Sequence, residues 1–407
     1  MDGQRIPAAV TQMPEHLRLT WLEELWTIPL GRDPMTEPLA ERAFLGSPRE
    51  ALEAAVLPAV CRPPCVVSFS GGVDSSIVLA LATHVARREG LPLPIPITNR
   101  FPLLEEADES EWQERVVSHL AIEDWTRLEW DDEMDIVGPF ATGILRRHGI
   151  LAPFNAHFSY PLIERAAGGS LLSGFGGDEL FESFSRAAAA RVLVQHCRPR
   201  PGDMRSVALA FIPRPLQARV VARRRPFHRY NWIRPRHRRR LAHAYGLWES
   251  SDRVRADRAL REWWWPSRMV QCTIAGDQVL GADFDTLMGS PFVDPDVLCA
   301  CARAGGPTGL GRGSRARGFE GVVGDLLPNE ILRRNSKASF NGAFWNSHAK
   351  AFVKRWDGGG IDPAIVDTDA LREHWSTVRP DGHSFVQLHR AWLASHRYDG
   401  AWTNVLG

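Results

Sequence analysis

The chain has 407 residues, 44% of them hydrophobic and 24% charged, the make-up of a globular protein able to bury one large core or two. No apolar run reaches membrane-spanning length and the opening Met1-Asp2-Gly3-Gln4-Arg5 lacks a signal-peptide pattern, so the expectation is a cytoplasmic protein with no membrane partner. The formal net charge of +1 excludes a uniformly basic or acidic protein but conceals one segment, Arg214 to Arg240, that holds eleven arginines and no acid. Six cysteines (Cys61, Cys65, Cys197, Cys272, Cys299 and Cys301) are too few for a disulfide framework at this length. Their Cys-x-x-x-Cys and Cys-x-Cys spacings do not make a zinc site, and they read as reduced, mostly buried thiols.

Residues 1–45 carry Leu17, Leu19, Trp21, Leu22, Leu25 and Trp26 and then a proline-punctuated stretch, which reads as a docked arm too short for a domain. A helix is expected from Pro48 to Val60, with Ala51, Leu52, Ala55 and Val56 at helical spacing. The β-branched run Cys65-Val66-Val67-Ser68-Phe69 then reads as a strand, and the apolar segment Ile77 to Val85 as the helix after it. Leu91 to Ile97 is a second strand candidate, its prolines tolerated only near a start or on an edge. Asp108-Glu109-Ser110-Glu111 opens a helix through Leu120, acids being favourable at a helix N-terminus. Trp125 to Trp130 and Ser170 to Ser173 are the third and fourth strands, with helical patterns in 132–147 and 157–167 between them. This alternation predicts an α/β fold, a parallel twisted sheet with helices on both faces, and a helical C-terminal part around Leu371, Trp375, Phe385, Leu388 and Trp392.

Two strand ends carry chemistry. Between the first strand and its helix lies Ser70-Gly71-Gly72-Val73-Asp74-Ser75-Ser76. Glycines let backbone approach an anion, the first helical amides are unpaired, and the serines add hydroxyl donors. Asp74 sits where a hard cation would bridge to phosphate. No Gly-Lys-Ser/Thr follows, so this is not the common P-loop. The fourth strand ends in Ser173-Gly174-Phe175-Gly176-Gly177-Asp178-Glu179-Leu180-Phe181. A tight turn and a helix cap at Asp178 are the plain readings. The functional reading adds that Asp178 and Asp74 leave parallel strands on one edge, placed to share Mg2+ around a triphosphate. Lys337, by itself, reads as an exposed loop lysine. The arginine run, interleaved with Phe227, Tyr230 and Trp232 and followed by Trp263-Trp264-Trp265, admits an RNA surface, a solvated linker or a grip on an acidic peptide.

The loop at Ser70 resembles that of the PP-loop ATP pyrophosphatases, which release pyrophosphate and form an adenylate. The order of motifs, Ser70–Ser76, Ser173–Phe181, Ser290-Pro-Phe-Val-Asp294 and Leu327-Pro to Lys337-Ala-Ser-Phe340, resembles the asparagine synthetase family over roughly residues 48–350. That family includes β-lactam synthetases and the macrolactam-forming cyclases of lasso peptides. The resemblance implies the adenine nucleotide α-hydrolase-like fold, with a synthetase domain over 46–350, a basic insertion near 214–240 and a helical segment over 351–407. It implies ATP and Mg2+ as cofactors, Phe69, Ser70, Gly71, Gly72, Asp74, Ser75, Ser76, Ser173 and Gly174 at the nucleotide, Asp74 and Asp178 on the metal, and Lys337 at the phosphate in the transition state.

Two departures shape the expected function. The first cysteine is Cys61, already beside the loop, so the chain is expected to lack a glutaminase domain and not to release ammonia from glutamine. Phe175 stands where asparagine synthetases carry glutamate and β-lactam synthetases a catalytic tyrosine, and phenylalanine takes no proton. The amine then arrives neutral, another group such as His157, Glu179 or Glu182 serves, or positioning suffices. Asp294 joins Phe175, His157 and Glu179 as a substrate-pocket candidate. The expectation is an AMP-forming, ATP-dependent amide-bond synthetase acting on a carboxylate and an amine. The C-terminal pattern Ile361-Asp…Asp369-Ala-Leu371…Trp392-Leu resembles the peptide cyclases more than the asparagine synthetases of primary metabolism, and that resemblance implies a natural-product role such as macrolactam closure, with a precursor peptide and its processing protein as partners. The alternatives are a tRNA-modifying enzyme using the basic segment and an inactive relative.

Overall fold

The computed structural model describes residues 12–40, 46–181, 187–199, 203–251, 254–311, 314–334 and 338–396. At its centre is β1 (Cys65–Ser68), whose Cys65, Val66 and Val67 are all buried, as a strand covered on both faces must be. Side chains alternate across the sheet. Val66 joins Ile97, Leu128 and Leu171 in one apolar cluster. Cys65, Val67 and Leu172 join the larger cluster on the opposite face.

Five parallel strands run in the order β3-β2-β1-β4-β5, with β2 at Ile95–Arg100, β3 at Thr126–Glu129, β4 at Ser170–Leu172 and β5 at Leu287–Gly289. From β1 the chain builds outward to one edge and then returns to β1's other side through β4. The order therefore reverses between β1 and β4, and the loops leaving their carboxyl ends border the crevice where such sheets hold ligands.

The second strand begins later than the expected Leu91. Pro92 and Pro94 lie outside it, since neither can donate to a ladder. Pro96 is tolerated inside because β3 begins opposite Ile97, so no neighbour on that side needs its amide. The fifth strand was not expected: three residues ending in glycine leave no apolar run to read.

The helix after β1 spans Val73–Glu89 and stops at Gly90, whose φ of 66° is the left-handed conformation glycine adopts freely. The Pro48–Val60 helix starts on a capping box formed by Ser47 and Glu50. Leu25 and Trp26 of the arm share a second apolar cluster with Phe385, Leu388 and Trp392. Arg268, in the Arg268–Ala282 helix, pins the arm through a two-pronged ion pair to Glu23 at 2.6 and 3.0 Å.

The arginine-rich segment folds as two packed helices, Arg214–Arg224 and Pro235–Glu249. Phe227, Tyr230 and Trp232 are buried beside Trp26, so these rings form core and are not exposed for bases to stack on. All six cysteines are free, and four are buried. Among the described residues no helix is long and apolar enough to cross a membrane.

Candidate active site

The turn after β1 is held by its own serines. Ser75 and Ser76 donate their hydroxyls to the Gly72 carbonyl at 3.0 and 2.8 Å. The Ser75 hydroxyl also accepts from the Ser70 amide at 3.3 Å. Gly71 has φ 86°, and a Cβ there would lie 2.7 Å from the Gln113 side chain, so both conformation and space demand glycine.

Outside the turn, Gln113 donates to the Ser70 carbonyl and Arg334 to the Gly71 carbonyl, each at 2.9 Å. Arg334 is itself ion-paired with Glu109 and lies 4.7 Å from the Trp112 ring centre. Three successive carbonyls are thus bonded, while no side chain caps the Val73–Glu89 helix. A helix start of this kind offers its amides to an anion.

The turn after β4 lies against this one. A Cβ on Gly174 would approach the Ser75 nitrogen to 3.0 Å, and one on Gly177 would come within 2.4 Å of Asp74 Oδ1. The two glycines are what allow the Asp74 carboxylate to nest beside the turn that carries Asp178.

Between the two carboxylates stands Arg315, the first residue of the Arg315–Val323 helix. Its Nη2 lies 2.7 Å from both Asp74 oxygens and 2.6 Å from Asp178 Oδ1. Reading the sequence missed Arg315, because nothing local separates it from Arg317 in the same stretch. Two hard carboxylates converging on one cation fit Mg2+, with the guanidinium standing where a divalent ion would neutralise them. Phosphate and water would complete the shell, since the described residues hold no group of three or more candidate ligands.

The other expected site residues fall in varied places. Phe69 contributes backbone at the turn, but its ring is 1% exposed in the core, edge-on to Trp125. Ser173 is half-buried, its hydroxyl 2.8 Å from that of Ser290. Phe175 packs its ring toward Trp264 at 6.4 Å and brings no proton acceptor to the turn.

His157 is sealed in an apolar wall, donating to the Met134 carbonyl at 3.0 Å, and burial holds its pKa down at about 3. It is therefore a structural histidine and not a solvent-reachable base. Asp294 is likewise structural, capping the Pro295–Gly305 helix by accepting from the Asp296 and Val297 amides at 2.8 and 3.2 Å. Glu179 follows Asp178 on the short Gly177–Phe181 helix, half-buried. Lys337 and Glu182 lie outside the described residues.

No curated protein matches the chain. A family model described as asparagine synthase matches residues 48–396, from the helix before β1 to the last described helix.

Proposed function

The chain belongs to the asparagine synthase family and is thereby an ATP-dependent, amide-forming synthetase, and from that premise we propose that it works through an acyl-adenylate, releasing AMP and diphosphate. The observation that carries this is the meeting of Asp74 and Asp178 on one cation, at the point where the strand order reverses. A loop whose carbonyls are tied back and whose helix start is uncapped suits the phosphates of ATP. Asp74 and Asp178 would hold Mg2+, which when bound supplies charge neutralisation for the triphosphate. Lys337, assigned by the family resemblance alone, would stabilise charge building on phosphate.

With Phe175 at the β4 turn, amide formation rests on an amine delivered neutral and correctly placed. That condition suits a substrate carrying its own carboxylate and amine, and macrolactam closure of a precursor peptide is the specialisation we favour. A processing protein would then be the natural partner.

The test is to incubate the full chain with ATP, Mg2+ and a pool of amino acids, trap acyl-adenylates with hydroxylamine, and resolve the nucleotides. AMP with diphosphate is expected. ADP as the sole nucleotide product would overturn the reading.

A further inference from the structure

β5 is the end strand of the sheet, and its outer side opens on a cavity of about 300 Å³. Ala59 of the Pro48–Val60 helix walls it on one side, and Ile274, Asp277 and Gln278 of the Arg268–Ala282 helix on the other, with Trp265 and Met288 between. The ladder to β4 runs through Leu287, whose amide donates to the Gly169 carbonyl, and Gly289, whose carbonyl accepts from Ser173. Met288, between them, therefore turns its own N–H and C=O toward the cavity.

Among the polar groups of this space, with Gln278, Ser290 and Asp294, stands Asp277. Its carboxylate makes no hydrogen bond or ion pair among the described residues, and burial alone pushes its pKa up to about 7. Among the described residues the lining contains no lysine, arginine or histidine. Among the described residues its other titratable group is Asp294, already engaged as a helix cap. Asp277 is half-buried, and a carboxylate with no partner among the described residues in a largely apolar wall is a ready counter-ion for a cation. The space beside it has the size of a small-ligand site.

We propose that this cavity binds an alkylammonium or guanidinium group, with Asp277 as its counter-ion and the apolar walls around the aliphatic stem. The group arrives either as a small free amine or as the lysine or arginine side chain of an extended peptide pairing with Met288. Val293 and Ser290 connect the cavity to the nucleotide turn. Val293 lies where a Gly176 Cβ would be, at 2.5 Å, and the Ser290 hydroxyl touches that of Ser173.

The full chain, without nucleotide, is titrated calorimetrically with agmatine and with the blocked peptide acetyl-Ala-Val-Arg-Val-Ala-amide. At least one is expected to bind, about tenfold tighter at pH 8 than at pH 6, since a carboxyl titrating near 7 is about one-tenth ionised at the lower pH and nine-tenths at the higher. Asp277→Asn, which keeps the shape, is expected to fold and to lose the binding together with its pH dependence. Tighter binding of the peptide would assign the edge strand to a peptide partner, and equal or tighter binding of agmatine would assign the cavity to a free amine. No binding of either probe, or binding unchanged in Asp277→Asn, overturns the proposal. Because ATP is absent, failure here leaves the synthetase reading intact.

Discussion

Arg315 is the residue on which the electrostatics of the two glycine turns depend. It neutralises two carboxylates that would otherwise repel each other at close range, and each aspartate is only partly exposed. Removing the guanidinium takes away the positive charge that touches both acids and raises their joint attraction for a divalent ion. Arg315→Met should therefore tighten nucleotide-free Mg2+ binding by about tenfold, equivalent to about 1.4 kcal/mol. Isothermal titration with Mg2+ alone measures it, and Asp178→Asn serves as the control that abolishes the effect. Affinity unchanged by Arg315→Met would mean that the two carboxylates do not share a cation position.

At the scale of elements, the turn after β1 depends on the helix Ser110–His119 and its surroundings. Glu109 precedes that helix, Gln113 lies within it, and both act on the turn, Glu109 through Arg334. The side chains of Arg334 and Glu109 are 3% and 6% exposed, so the pair is shielded from water. Breaking one side of such a pair leaves a buried charge alone, a loss of about 3–5 kcal/mol. Arg334→Met should lower stability on that scale in denaturant melts. Adding Glu109→Gln should recover part of it by removing the stranded charge. A double variant no more stable than Arg334→Met would show that the loss comes from packing on Trp112 and not from charge.

The whole molecule is joined by the cluster in which the arm, the basic hairpin and the C-terminal helices meet. Two histidines beside it line one small cavity, His157 bonded to the Met134 carbonyl and His389 to the Ile136 carbonyl. Burial holds their pKa values at about 3 and about 4. In the unfolded chain both would titrate near 6.5. The unfolded state thus binds more protons between about pH 6.5 and 4, and the stability these residues contribute is complete above that window and lost as pH falls through it. Asp277 acts in the opposite sense, since its raised pKa costs stability as pH rises toward 7. The informative measurement is therefore a difference. His389→Gln should lose less melting temperature than the parent between pH 7 and pH 4.5, and equal slopes would contradict the assignment.

What the sequence determined by itself is what a few neighbouring residues can enforce. The β-branched run before Ser70, the glycines of both turns and the acids just inside the following helices set strand, turn and helix locally, and their alternation along the chain implied the parallel sheet. The order of motifs led to the family. The tertiary structure decided which distant side chains meet. Arg315 reaches Asp74 across 241 positions and Arg334 reaches Gly71 across 263, contacts that exist only once the sheet order and helix packing are fixed. It also decided which way ambiguous side chains face. The Phe69 ring turned into the core, His157 and Asp294 became structural, and the rings of the basic segment were buried. No local pattern states these outcomes, because burial depends on what the rest of the chain places opposite each residue. For the same reason Asp277, an unremarkable acid in a helical stretch, became a lone carboxylate at the edge of the sheet.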